Sequence, residues 1–109
     1  MAYIKVVEYV HNGGSVFEKW FNGLDAQAAA KVTTALYRLE QGNVSNVKSV
    51  GQGVSECRID FGPGYRIYFG REGNTLLILL GGGAKKTQSR DIRNAQLLWA
   101  QYKIDKKKK

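Results

Sequence analysis

The chain has 109 residues and a mass of 12.1 kDa, which fits one domain of ordinary size. Apolar residues make up 43 % and charged residues 24 %, a composition typical of globular rather than disordered proteins. A single cysteine excludes an intramolecular disulfide and a multi-cysteine metal site. The longest apolar run, 76–80, is far shorter than the roughly twenty residues of a membrane helix. We therefore expect a soluble cytoplasmic protein with no membrane partner.

The charge balance is strongly basic. Seventeen Lys and Arg against nine Asp and Glu give a net charge of +8. Such a field favours polyanionic partners, namely RNA, DNA or an acidic protein. The run 106–109 is all lysine, and we interpret it as a solvated, frayed tail that follows a single domain of residues 1–105.

The first segments predict a strand and a short helix. Residues 3–10 are rich in β-branched and aromatic side chains, which is typical of a strand. After a turn at 11–14, Ser15 and Glu18 have the spacing of a capping box, and Gly23 suits the end of a helix. The apolar face of this helix is formed by Phe17, Trp20, Phe21 and Leu24.

A second helix is predicted directly afterwards. Asp25 is its expected N-cap, and it runs to about Glu40. The residues predicted to face inward are Ala29, Val32, Leu36 and Leu39. The two helices are expected to form an αα-hairpin packed on a sheet, followed by a polar loop at 41–53.

The second half of the chain changes to strand periodicity. Residues 55–61 and 65–69 alternate in polarity and are separated by the turn 62–64, which predicts an antiparallel pair. Residues 75–80 are apolar almost throughout, as in a central strand covered on both faces, and a last helix is predicted over 87–103. The order β-α-α-β-β-β-α predicts an α+β domain. Its small antiparallel sheet packs against the αα-hairpin and the C-terminal helix.

Several kinds of catalytic site are missing from the sequence. His11 is the only histidine, so one chain cannot form a two-histidine acid–base pair. Cys57 is expected in the core, and the carboxylates are too scattered to predict a metal-dependent nuclease. The triplet 81–83 lacks the P-loop pattern, and we interpret it as a strand end before a basic loop at 84–86.

The remaining candidates are basic. They lie on a loop, on two neighbouring strands and after the central strand, and are Lys48, Arg58, Arg66, Lys85 and Lys86. Arginine suits bidentate phosphate binding, and lysine supplies a compact charge. Both arginines lie opposite the apolar rows of their strands, so both are expected to point away from the core. They share a face only if the register across the turn is even or a bulge corrects it.

Each of these residues also has a structural interpretation. Arg58, between Glu56 and Asp60, is equally consistent with an ion-paired surface residue. Arg66 has no acidic neighbour in sequence, which favours ligand binding. Tyr68, if exposed beside it, is positioned to stack on a base.

Longer motifs resemble a known toxin family. Residues 47–69, VKSVGQGVSECRIDFGPGYRIYF, resemble the pattern VKxVGxGVxELRIDxGPGYRVYF of addiction-module killer proteins. These proteins are a HigB-like, phage-derived branch of the RelE/ParE toxin superfamily. Residues 80–92 are similar to the pattern LxGGDKxTQxxDI, and 17–24 to FxxWLxxL. Two departures are Ala84, where the family has an acidic residue, and Cys57, where leucine is usual.

The resemblance implies a RelE-like fold and a type II toxin. Its expected partner is a cognate antitoxin, often a helix-turn-helix DNA-binding protein. RelE-like and HigB-like members cleave mRNA, usually on the ribosome, whereas ParE-like members inhibit DNA gyrase. By motif, Arg66 matches the arginine that contacts the scissile phosphate. Lys85 and Arg58 match basic positions after the central strand and on the preceding strand.

The resulting hypothesis is a metal-independent mRNA endoribonuclease that uses no cofactor. The expected catalytic residues are Arg58, Arg66 and Lys85, with Lys85 or Lys86 as the proton acceptor. The expected RNA-binding residues are Lys48, Tyr68, Lys86 and Arg90. The alternatives are a gyrase inhibitor and an RNA-binding relic without activity.

Overall fold

A computed structural model describes residues 4–108, in which the chain forms a five-stranded sheet and three α-helices. The elements in chain order are β1 (Lys5–Glu8), α1 (Val16–Asn22), α2 (Ala26–Glu40), β2 (Val47–Ser49), β3 (Val54–Ile59), β4 (Tyr65–Glu72), β5 (Leu76–Ala84), a 3₁₀ turn (Lys85–Thr87) and α3 (Gln88–Lys107). The α+β class is confirmed. Tyr3, at the start of the first predicted strand, and Lys109, at the end of the tail, lie outside the described residues.

The sheet differs from the prediction in two ways. Its strand order is β1-β5-β4-β3-β2, and β1 runs parallel to β5 while the other pairs are antiparallel. The prediction of an antiparallel sheet was therefore wrong for β1, because tight turns force antiparallel pairing and β1 is connected to the rest by two helices. Part of the predicted polar loop is also wrong, since Val47–Ser49 pairs with β3.

The predicted helix ends are confirmed by their capping bonds. The Ser15 hydroxyl accepts a hydrogen bond from the Glu18 amide at 3.0 Å, and Gly23 is the C-cap of α1. An Asp25 carboxylate oxygen accepts one from the Ala28 amide at 2.8 Å and begins α2. These bonds satisfy amides that have no partner within the helix.

Helices cover both faces of the sheet and create two apolar cores. On one face α1 and α2 pack over a core formed by Phe17, Val32, Leu39, Cys57, Ile59, Ile67, Phe69, Leu77 and Leu79. On the other face α3 contributes Ala95 and Trp99 to a second core, formed with Tyr9, Val54, Tyr68, Ile78 and Leu80. Strand β5 is thus buried on both faces, which explains its apolar run.

Two glycines let tryptophan rings lie directly on the sheet. A Cβ at Gly82 would overlap the Trp20 ring of α1, and a Cβ at Gly70 would overlap the Trp99 ring of α3. The triplet 81–83 was predicted as a strand end, but it lies within β5. The reason for glycine at position 82 is the close approach of a helix side chain.

Cys57 is a core residue, as predicted. Its side chain lies among the apolar residues under α1 and α2. Burial, followed by the nearby Glu56 charge, raises the pKa of the Cys57 thiol to about 11. The thiol therefore stays protonated at neutral pH, consistent with a packing role.

Helix α3 extends beyond its predicted end at Lys103. It ends at Lys107, and the Lys106 ammonium pairs with the Glu72 carboxylate at the end of β4. The first two residues of the predicted frayed tail are therefore helical. Within residues 4–108, no helix is long and apolar enough to cross a membrane.

Candidate nucleic-acid interface

The strand register brings the predicted basic residues to one end of the sheet. Arg58 of β3 pairs directly with Arg66 of β4, so the two side chains share the face covered by α3. Two pairs further along, on the same face, Glu56 lies between Lys48 of β2 and Tyr68 of β4. The even register that a shared face requires is therefore present.

Arg66 forms a buried ion pair with Glu56. The two residues are 8 % and 1 % exposed, and Arg66 Nε lies 3.6 Å from Glu56 Oε2. Arg66 Nη1 also donates to the Gly64 carbonyl at 2.9 Å. The prediction that Arg66 points away from the core was wrong, because α3 covers this face and creates a second core.

Two further groups hold the Glu56 carboxylate. Gln88 Nε2, at the start of α3, donates to Glu56 Oε2 at 2.8 Å. Lys48 Nζ approaches Glu56 Oε1 at 3.8 Å from the sheet edge, where its side chain is 69 % exposed. The carboxylate therefore links β2, β4 and α3, and it orients the Arg66 guanidinium.

Arg58 is exposed and adopts the ion-paired alternative. Its Nε lies 3.3 Å from Asp60 Oδ1, and both side chains are more than half exposed. An exposed pair of this kind contributes little stability. The Arg58 guanidinium is therefore available to an incoming anion at the rim above Arg66.

Tyr68 cannot stack on a base, contrary to the prediction. It is 0 % exposed because α3 covers it. Its hydroxyl has no hydrogen-bond partner among the described residues. Burial, with the charges of Glu56 and Asp91 adding and that of Arg66 opposing, raises the pKa of the Tyr68 phenol far above its usual value.

Lys85 begins beside Arg66. An added Cβ at Gly64 would lie 3.4 Å from Arg66 Nη1 and 3.6 Å from Lys85 Cβ, so both side chains border that glycine. The Lys85 amide donates to the Pro63 carbonyl at 3.4 Å, which ties the 3₁₀ turn to the β3–β4 connection. The Lys85 side chain is exposed.

The other predicted basic residues lie next to Lys85. Lys86 and Arg90 are exposed and border one shallow pocket with Lys85 and Arg93. Arg90 Nε lies 3.6 Å from Asp91 Oδ1. The structure thus places Lys48, Arg58 and Arg66 in one pocket and Lys85, Lys86 and Arg90 in its neighbourhood.

Sequence reasoning missed the roles of Glu56 and Gln88. Glu56 was considered only as a surface partner of Arg58, its neighbour two residues along the strand. The ion pair with Arg66 depends on the register between β3 and β4. Gln88 matches the glutamine of the pattern LxGGDKxTQxxDI, but the match gave it no role, since its contact depends on where α3 begins over the sheet.

The electrostatics of this site favour an anion. Four cationic side chains, Lys48, Arg58, Arg66 and Lys85, accompany two carboxylates, Glu56 and Asp60. Within the part of the chain that the structure describes, no three His, Cys, Asp or Glu side chains are grouped to hold a metal ion. The arginine and lysine side chains at this end of the sheet are suited to charge-assisted hydrogen bonds with a phosphate.

Fold and site together define a small basic α+β protein with a pocket lined by cationic side chains at one end of its sheet. The family described as "Phage derived protein Gp49-like (DUF891)" matches residues 19–103, and the chain belongs to this family. It is a toxin-like family of addiction modules. A Haemophilus influenzae protein named "Uncharacterized protein" is 45 % identical over 83 residues, which cover 75 % of this chain and 84 % of that relative.

Proposed function

We propose that this protein is the toxin of a type II toxin–antitoxin module, of the RelE/ParE superfamily, and that it cleaves mRNA on the ribosome. The observation that carries the proposal is the position of Arg58, Arg66 and Lys85 around one end of the sheet. By the toxin resemblance, Arg66 matches the arginine that contacts the scissile phosphate, and Arg58 and Lys85 match basic positions of the family. The family membership supports the toxin class.

The proposed reaction is a phosphodiester cleavage without a metal ion. The ribose 2′-hydroxyl attacks the adjacent phosphorus, the bond to the 5′-oxygen breaks, and the products are a 2′,3′-cyclic phosphate and a 5′-hydroxyl. Negative charge grows on the phosphate oxygens in the transition state, where Arg58, Arg66 and Lys85 stabilise it. Lys85 is the proposed acceptor of the 2′-hydroxyl proton because its side chain begins beside Arg66 and is exposed, and the departing 5′-oxygen takes a proton from water.

Glu56 and the ribosome supply orientation in this mechanism. The Glu56 carboxylate holds the Arg66 guanidinium in a defined position before substrate arrives. The ribosome holds the message so that the 2′-hydroxyl is in line with the leaving oxygen. The proposed protein partner is a cognate antitoxin with an acidic surface, which complements a chain of net charge +8.

Primer extension on a defined mRNA in a reconstituted translation system tests the proposal. We expect discrete cuts that require ribosomes, and about a hundredfold slower cutting by Arg66→Lys and by Lys85→Ala. Arg66→Lys retains the charge opposite Glu56 but loses the planar fork. Lys107→Ala, at the far end of α3, is the matched control and should cut like the wild type.

The outcomes separate the alternatives. Cuts without ribosomes would support the nuclease activity but show that the ribosome is not needed to orient the message. Growth arrest by a folded protein that makes no cuts would refute the nuclease and direct the next assay to DNA supercoiling by gyrase. Binding of RNA without cuts or growth arrest would identify an inactive relic.

A further inference from the structure

A basic groove lies beside the proposed catalytic pocket, which is the pocket lined by Lys48, Arg58 and Arg66. It runs between helix α2 and strand β3. Lys31 and Arg38 are seven residues apart on α2, two helical turns, so both face the groove from the same side. Its other polar lining residues are Thr34, Asn43, Ser45, Asn46, Arg58 and Asp60.

The cations of this groove exceed its carboxylates. Among residues 4–108, neither Lys31 nor Arg38 forms an ion pair. The one lining carboxylate, Asp60, pairs with Arg58. Lys31 Nζ lies 5.3 Å from the centre of the Phe61 ring. The Lys31 side chain is exposed, so its charge is accessible at the groove.

The groove is continuous with the catalytic pocket. Arg58, Ser45 and Asn46 line both of them. Arg58 therefore stands between Lys31 and Arg38 on one side and Arg66 on the other. A chain of phosphates that passes Arg58 meets the unpaired cations Lys31 and Arg38 in one direction and Arg66, which is paired with Glu56, in the other.

We propose that this groove binds the sugar–phosphate backbone of single-stranded RNA next to the cleaved phosphate. The inference rests on the proposed function, which it extends from one phosphate to a flanking segment of substrate. Lys31 and Arg38 contact phosphates, and the amide and hydroxyl groups of Asn43, Ser45 and Asn46 hydrogen-bond to ribose or phosphate oxygens. These contacts are independent of base identity, so the groove contributes affinity and not sequence preference.

A polyanion fits this groove better than a helix of a protein partner. Docking of an amphipathic helix requires an exposed apolar stripe. The groove offers no such stripe, because the apolar lining residues Cys57 and Ile59 are buried and Ala35 and Phe61 are only partly exposed. An acidic protein segment is retained as an outcome of the test.

Fluorescence anisotropy with 2′-O-methyl oligonucleotides measures RNA binding without cleavage, because the 2′-O-methyl group replaces the attacking hydroxyl. A decamer spans pocket and groove, whereas a trimer fills the pocket alone. The test variant is the double substitution Lys31→Gln/Arg38→Gln. The matched control, Lys107→Gln/Lys108→Gln, removes two exposed charges at the end of α3.

We expect the test variant to bind the decamer on the order of tenfold more weakly and the trimer as the wild type does. The slope of log affinity against log salt should fall by about 1.4, which is about 0.7 for each of two lost phosphate contacts. The control should change decamer affinity much less. Both substituted pairs are exposed, so melting temperatures should match that of the wild type.

Three results would overturn the inference. Equal losses in the test and control variants would mean that only net charge matters. An unchanged decamer affinity of the test variant would show that the groove does not bind RNA. The proposed nuclease would still stand if the wild type makes ribosome-dependent cuts. Weaker binding of the antitoxin together with unchanged RNA affinity would reassign the groove to a protein partner. Failure of the wild type both to bind the decamer and to cut mRNA would instead refute the proposed function itself.

Discussion

A polar cluster lies at each end of helix α3, and the two clusters differ in the balance between positive and negative charges. Its 20 residues span about 30 Å. The amino-terminal cluster consists of Lys48, Glu56, Arg66 and Gln88. The carboxyl-terminal cluster consists of Tyr9, His11, Gln101 and Asp105. The first has more cations than anions, whereas the second centres on one carboxylate.

In the carboxyl-terminal cluster, both oxygens of Asp105 have neutral donors. The Tyr9 hydroxyl donates to Oδ2 at 2.5 Å and Gln101 Nε2 donates to Oδ1 at 2.7 Å. Burial, followed by this hydrogen bond, raises the pKa of Tyr9 to about 12. The bond also lowers the pKa of Asp105 below its usual 3.8. This cluster fastens the end of α3 to the segment after β1.

The comparison teaches that polar residues at two ends of one helix can serve different purposes. A cluster whose donors and acceptors match stabilises the fold. A cluster with surplus positive charge at the surface lowers the stability of the fold, because its cations repel one another, but the same charge attracts an anion. Three substitutions test whether this division is correct, in order of expected effect.

Glu56→Gln should have the largest effect, because it should lower the stability of the fold and raise the affinity for RNA. Arg66 would keep a buried charge without its counter-ion, so we expect the free energy of unfolding to fall by about 3 kcal/mol. Loss of the carboxylate also makes the pocket more positive, so RNA affinity should rise. Urea denaturation and anisotropy with the 2′-O-methyl decamer measure the two consequences.

The matched control for Glu56→Gln is Asp60→Asn, which removes the same charge from an exposed pair. Its cost should be below about 1 kcal/mol. Equal stability losses in both variants would show that the buried pair is no more important than a surface pair, and the comparison would fail.

Tyr9→Phe should have a moderate effect on stability alone. The change removes the Tyr9 hydroxyl from Asp105 Oδ2, which His11 Nδ1 approaches only to 3.5 Å, at a cost of about 1 kcal/mol. RNA binding and mRNA cutting should be unchanged, because the cluster lies at the other end of α3. Tyr37→Phe, on the exposed face of α2, is the control in urea denaturation. A loss of cutting in a folded Tyr9→Phe protein would contradict a purely structural role.

Asp105→Asn should have the smallest effect, confined to a range of pH. The folded-state pKa of Asp105 is lowered, so its stabilisation is present above the unfolded value of 3.8 and is lost as pH falls through the folded value. The stability difference between wild type and variant should therefore be constant from pH 7 to about pH 5 and shrink below about pH 4. Urea melts across this range would contradict the assignment if the difference grew on acidification.

Much of the fold was predictable because its signals are local. The caps Ser15 and Asp25 and the alternation of 55–61 each reflect interactions within a few residues. The continuous apolar run of β5 correctly predicted a strand buried on both faces. The parallel pairing of β1 and the short strand β2 were missed because neither leaves a periodic signal in its own segment.

The candidate site was predictable in its residue types and less so in its environment. Arg58, Arg66 and Lys85 do lie at one end of the sheet. The sequence alternation placed Arg66 and Tyr68 correctly on the same face, away from the core under α1 and α2. Since α3 covers that face, both are buried instead of exposed.

By itself, the sequence determined the helices and most strands of this protein, its basic charge, and the arginine and lysine residues suited to phosphate. Those properties depend on residue type and on spacing along the chain. Only the tertiary structure decided that Glu56 faces Arg66, that Gln88 holds Glu56, and that Tyr68 is sealed under α3. Such contacts join residues far apart in sequence, and they depend on strand register and on where a helix crosses the sheet.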